Sequence, residues 1–120
     1  MRVCRLETER GVVCARCAVA DTPPARLRGL LGRRALRRGT GVWLRPARSV
    51  HTWFMRFAID VVFLDAGLRV VGICASVEPW RMAGRRAATS VLELAAGEAD
   101  RRDLRVGDTV RAEPLCGADL

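Results

Sequence analysis

Apolar and polar positions alternate along most of the chain in short runs, broken by turns rich in glycine, proline and aspartate. That period of two is the mark of half-buried β-strands. Residues 2–8 and 12–20 read as a hairpin with Glu9-Arg10-Gly11 at its turn, and Val3, Val12, Val13 and Val19 favour extended backbone. A two- or four-residue loop centred between Arg10 and Gly11 sets Cys4 opposite Cys17 and Glu7 opposite Cys14, whereas a three-residue loop breaks that register.

After the hairpin the period changes. Leu27, Leu30 and Leu31 recur at helical spacing behind Asp21-Thr22-Pro23-Pro24, where Asp21 or Thr22 can cap and proline is tolerated in the first turn. The helix is expected to end between Gly32 and Leu36. Val42-Trp43-Leu44 is a short strand stopped by Pro46, and Thr52 to Met55 and Ile59 to Leu64 are extended pieces around a bend at Arg56-Phe57-Ala58. Asp65-Ala66-Gly67 turns into a strand over Leu68 to Val77, and Glu78 to Arg86 is a polar loop. Thr89 to Leu94 is a strand that alternates Val91 and Glu93 against Leu92 and Leu94. Gly97 to Leu104 is a short polar helix, and a last strand ends before Pro114. The sum is seven or eight strands and two short helices, a mainly β chain expected as an antiparallel β-sandwich or partly closed barrel.

At 120 residues the chain is expected to form a single domain, residues 1–120, large enough for one core. Half of its residues are apolar, which excludes disorder along its length. No apolar run approaches the roughly 20 residues of a membrane span. The first residues carry no apolar signal segment, so the expected location is cytoplasmic. Five cysteines, an odd number, then suggest reduced thiols.

The formal charge of +8 is unevenly spread: nine arginines and no acid lie between Thr22 and Ile59, against twelve arginines and thirteen acids elsewhere. Lysine, asparagine, glutamine and tyrosine are absent, so the arginine excess reflects either a coding bias or a partner. Arg26, Arg28, Arg33 and Arg34 are the candidate anion-binding group. Nucleic acid is the less favoured partner, because the block lacks interleaved aromatics and any DNA-binding motif.

Several ordered segments resemble the uncharacterised DUF192 family. They are Arg26-Leu-Arg-Gly29-Leu30-Leu31-Gly32-Arg33, the aromatic-Met segment running into Ile59-Asp60, Val91 to Gly97, and Val106-Gly107-Asp108. The resemblance spans roughly residues 10–112 and is similar to a His-Thr-Phe-Phe-Met-Arg subtype, with Trp53 for the first Phe and Ala58 for a common proline. It implies a compact, mainly β domain with a short helix after the first strands. It implies no established activity, cofactor or partner. Many relatives are exported or membrane-anchored, and roles inferred for those do not carry over.

Unusual chemistry concentrates in Val50 to Asp65, which holds the single histidine, all three phenylalanines and an aspartate inside an apolar run. His51 and Asp60 form either a His–carboxylate pair at a pocket mouth or two structural residues, Asp60 then accepting backbone N–H groups or pairing with Arg56. Trp43 and Met55 read as core, while Trp80, between Pro79 and Arg81 in a polar loop, reads as a lid or a contact residue. Cys14-Ala-Arg-Cys17 is a CxxC within a strand, where positions i and i+3 point to opposite faces, so neither a metal nor a redox role is assigned and no cofactor is expected. The reading is a small binding or accessory module, for an anionic small molecule or a protein, with His51, Thr52, Trp53, Arg56, Asp60, Trp80 and Arg81 as its site. A polyanion-binding arginine surface and a small enzyme using His51 with Asp60 are the alternatives.

Overall fold

The computed structural model describes residues 2–23, 26 and 34–119, the last four as backbone. Nine strands are described: β1 (Arg2–Thr8), β2 (Gly11–Ala20), β3 (Thr40–Leu44), β4 (Ser49–His51), β5 (Ile59–Leu64), β6 (Val70–Val77), β7 (Met82–Gly84), β8 (Ser90–Ala95) and β9 (Arg111–Asp119). One short helix, α1 (Glu98–Arg101), follows β8. The fold is mainly β, as its alternation predicts. Seven strands form one open sheet in the order β6-β5-β8-β3-β2-β1-β9, and β4 and β7 make a separate two-stranded ribbon. Every neighbouring pair in the large sheet is antiparallel except β2 and β3, which run parallel. Most of the helix expected after Asp21 falls outside the described residues; the Arg26 N–H donated to the Thr22 carbonyl at 2.9 Å is one α-helical turn of it.

The first hairpin keeps its expected register at one end and loses it at the other. Cys4 faces Cys17, but Leu6 faces Cys14 and Glu7 faces Val12. The register shifts twice, between Cys4 and Leu6 and again between Leu6 and Glu7, each time by one extra residue on β2, as in a β-bulge. The first of these extra residues falls between Cys14 and Cys17 and restores parity, so both enter the same core cluster as Cys4 and Leu6. The expectation that the two CxxC thiols point to opposite faces is therefore corrected.

Three other elements depart from expectation. Thr52 to Met55 is a turn rather than a strand, and the polar loop after Glu78 contains β7, which pairs with β4 through Val50 and Ala83. The last strand runs through Pro114 to Asp119. Proline is tolerated there because β9 is the sheet edge, where one side of the strand has no ladder to complete.

Strand alternation assigns the two faces of the large sheet. Trp43, Val62, Leu64, Leu92, Leu94, Cys17 and Val19 pack on one face with Leu104 and Val110. Val42, Leu44, Ile59, Val61, Phe63 and Val91 pack on the other, where Val50, Met55 and Ala83 bring the β4–β7 ribbon down onto them. The central strands β5 and β8 are covered on both faces and every residue of β5 is buried. The ribbon, in contrast, has one apolar side against the sheet and one side facing water.

Candidate functional site

Thr52 organises the region around the ribbon. It is fully buried, and its hydroxyl donates to the Glu78 carbonyl at 2.6 Å and accepts the Arg81 N–H at 2.8 Å. Its backbone N–H donates to the Arg81 carbonyl at 2.9 Å, and its carbonyl accepts the N–H groups of Trp80 and Met55. One threonine thus ties the segment after β4 to the segment before β7. Both segments then carry their aromatic side chains outward.

Trp53, Phe54, Trp80 and Met82 are 41%, 69%, 57% and 68% exposed. The Phe54 and Trp80 rings lie 4.7 Å apart at 59°, and the His51 ring stacks on Trp53 at 4.6 Å and 28°. His51 faces Met82 across the ribbon. Phe54 and Trp80 both have left-handed backbone, with φ of 66° and 67°. Bulky side chains rarely adopt that conformation, and each such residue costs on the order of 1–3 kcal/mol. The Thr52 hydrogen bonds hold both turns in place. Arg48, Arg56, Arg81 and Arg86 are exposed on the same stretch, and none has an acidic partner among the described residues.

Asp60 lies elsewhere. It alternates with Ile59, Val61 and Phe63, which face the ribbon, so its side chain projects to the opposite face of the sheet. Its Oδ1 accepts the Ser76 N–H at 2.8 Å, and its Oδ2 accepts those of Gly97 at 3.1 Å and Ala99 at 2.9 Å. Ser76 sits in a bulge of β6, with φ of 51°, opposite Asp60. The carboxylate therefore takes up an N–H that the bulge releases and two more at the start of α1. It is a structural acid, and the His51–Asp60 pair is not assembled. His51, Thr52, Trp53, Trp80 and Arg81 are brought together, with Phe54 and Met82 added to them; Arg56 lies on the same loop, exposed.

The arginine group is only partly placed. The Arg26 guanidinium donates to the Arg45 carbonyl at 3.2 Å and Arg34 is exposed, while Arg28 and Arg33 lie outside the described residues. Trp43, on β3, and Met55, in the turn after β4, are both core, as expected of them.

A second carboxylate escapes the sequence reading. Glu93, on β8, shares its face with Val91 and pairs with Val42 and Val61 across the two flanking strands. It is 4% exposed, makes no ion pair among the described residues, and burial pushes its pKa up to about 7. Alternation alone places Glu93 on a solvent face; only the central position of β8, which no local pattern reports, buries both faces. Glu98 differs. Burial works against its charged form, but Arg101, the Gly39 N–H and Arg102 outweigh it and hold its carboxyl below the usual range. No group of three His, Cys, Asp or Glu among the described residues is placed to hold a metal ion.

A sequence model of DUF192, described as "Uncharacterized ACR", matches residues 5–112. The chain belongs to the DUF192 family. Among curated DUF192-like proteins, it is 30% identical over 110 residues to a UPF0127 protein of Thermococcus sibiricus, covering 87% of this chain and 70% of that one. It is 39% identical over 61 residues to a UPF0127 protein of Pyrococcus furiosus, covering 50% of this chain and 52% of the other. Among solved structures, a protein of unknown function from Novosphingobium aromaticivorans superposes with a TM-score of 0.79 at 22% identity, over 91% of this chain and 83% of its own. A Sinorhizobium meliloti protein suggested to be a transcription regulator gives 0.78 at 23% identity, over 92% of both chains. The two structural likenesses show a shared fold and nothing beyond it. No helix among the described residues is long and apolar enough to cross a membrane.

Proposed function

We propose that this DUF192 domain is a protein-binding accessory module whose contact surface is the aromatic ridge on the β4–β7 ribbon. The observation that carries the reading is the exposure of Trp53, Phe54, Trp80 and Met82 together, on turns held in strained backbone by Thr52. Leaving large apolar groups in water forgoes about 1.5–3 kcal/mol for each that a fold could bury. Aromatic, methionine and arginine side chains are also the types enriched at protein interfaces. The partner that fits is an acidic segment carrying large apolar side chains, since the arginines around the ridge make no ion pair among the described residues.

Single-stranded nucleic acid fits less well. Base stacking needs free ring faces, whereas His51 covers one face of Trp53 and Phe54 leans on Trp80. The pairs make a ridge rather than a row of platforms. We place the protein in a reducing, cytoplasmic setting, a reading supported by the free thiols of the described cysteines Cys4, Cys14, Cys17 and Cys74.

The test uses a labelled peptide alternating glutamate with leucine and phenylalanine, titrated against the protein by fluorescence anisotropy. Saturable binding is expected, weakened at least tenfold in Trp80→Ser and Phe54→Ser variants whose near-ultraviolet circular dichroism shows intact tertiary packing. Equal binding by those variants, or preference for oligo-dT over the peptide, defeats the reading.

A further inference from the structure

Away from the ribbon, on the sheet face that carries Trp43, an open hollow of about 570 Å³ lies at the end of the strands. Arg2, Asp21, Arg45, Pro46, Ala66, Leu68, Thr89 and Ser90 surround it, and its volume is in the range of small-molecule sites. Strand register explains the convergence. Arg2 faces Val19 across the first hairpin, Trp43 faces Leu92, and Val19, Trp43 and Leu92 all belong to one face. Asp21, Arg45 and Ser90 are each two residues from one of these, so alternation returns them to the same side.

Among the described residues, two donors that line the hollow and one beneath it lack acceptors. The Arg45 guanidinium lies 4.3 Å above the Trp43 ring and has no carboxylate partner among the described residues. Ser90 is 3% exposed, and its buried Oγ makes no hydrogen bond among the described residues. The indole Nε1 of Trp43, beneath Arg45, is also buried and has no partner among the described residues. Buried donors are normally satisfied, and leaving one unpaired costs about 1–3 kcal/mol. Asp21 is the carboxylate at the rim, and it is already neutralised by its ion pair with Arg2. Among the described residues that line the hollow, one uncompensated positive charge remains, at Arg45. Pro46, Ala66 and Leu68 supply apolar wall.

We propose that this hollow binds a small organic carboxylate with an apolar body. The carboxylate would accept from the Arg45 guanidinium and the Ser90 hydroxyl, and the apolar body would rest against Leu68, Ala66 and Pro46. Planar, forked donation from arginine suits a carboxylate, which can take two parallel N–H bonds. The site is independent of the ribbon surface.

The experiment follows the indole N–H resonances in nitrogen-15 NMR spectra, assigned with tryptophan-to-phenylalanine variants. Benzoate is the probe, with inorganic phosphate as the anion lacking an apolar body. Benzoate is expected to shift the Trp43 signal saturably while leaving Trp53 and Trp80 unmoved, and phosphate to bind at least tenfold more weakly. Arg45→Gln should abolish the shift and Ser90→Ala should weaken it several-fold, each in a protein whose amide spectrum remains dispersed. Arg86→Gln, on the ribbon side, should bind benzoate as the parent does. No saturable shift, equal binding of phosphate, or undiminished binding by Arg45→Gln would overturn the proposal.

Discussion

Two acids on neighbouring central strands show how little a residue's type decides about its role. Asp60 spends both oxygens on backbone N–H groups of Ser76, Gly97 and Ala99. Glu93 has burial without compensation, and its pKa rises from 4.5 to about 7. The folded state therefore holds a proton that the unfolded chain has released between those two values. From this group, stability is greatest below pH 4.5, declines as pH rises toward about 7, and is flat beyond. The full span is on the order of 3 kcal/mol. Glu98 and Asp108, whose carboxyls are held low against burial by Arg101 and Arg10 respectively, act in the opposite direction and below that window. Glu93→Gln keeps the shape without the charge. Urea unfolding should find the variant no more stable than the parent at pH 4.5 and about 2–3 kcal/mol more stable at pH 8. A stability difference that stays constant across that range would show that Glu93 does not titrate as a buried acid. The sequence makes the acid visible but not its burial, since an alternating Val-Leu-Glu-Leu suits a strand with one wet face equally well.

At the level of elements, β-bulges account for much that local pattern could not supply. One in the first hairpin gathers Cys4, Cys14 and Cys17; another, in β6, is stitched by Asp60. Hydrophobic alternation located β1, β2, β3, β5, β6 and β8 to within a few residues, because each is long or strongly apolar. It missed the three-residue strand β7, whose only ladder among the described residues is with the equally short β4 and whose pattern is too brief to read. Close packing between β3 and β8 rests on Gly41. A methyl group there would come within 2.7 Å of the Glu93 carbonyl and 2.9 Å of Leu94 Cδ2. The first of these is backbone and cannot rotate away. Gly41→Ala is therefore expected to cost about 1–3 kcal/mol by forcing the two strands apart. Denaturant unfolding measures it, and a cost under about 0.5 kcal/mol would mean that the ladder yields more readily than packed interiors do.

Taken whole, the fold separates its densely packed sheet from the proposed contact surface. The large sheet is filled on both faces, and the ribbon adds a thin layer whose outward side is apolar and strained. The aromatic cluster was visible in the sequence because histidine, tryptophan and phenylalanine crowd into one short stretch. That Asp60 belongs to the other face was not, since a bend after Met55 lets two neighbours in sequence serve opposite sides of a sheet. Nor was the hollow at Arg45, whose walls come from five separate segments that only strand order brings together.

The cysteine trio has a practical corollary. Cys17 is wholly enclosed, with Cys14, Cys4 and burial all pushing its thiol upward, whereas Cys74 is half-buried near the surface. Iodoacetamide should accordingly modify Cys74 in the native protein within minutes, and reach Cys17 only in molecules whose first hairpin has parted. Peptide mass spectrometry over a time course would then make Cys17 an internal clock for opening, read without any added probe. Equal labelling rates at the two positions would mean that the hairpin breathes far more freely than its packing implies.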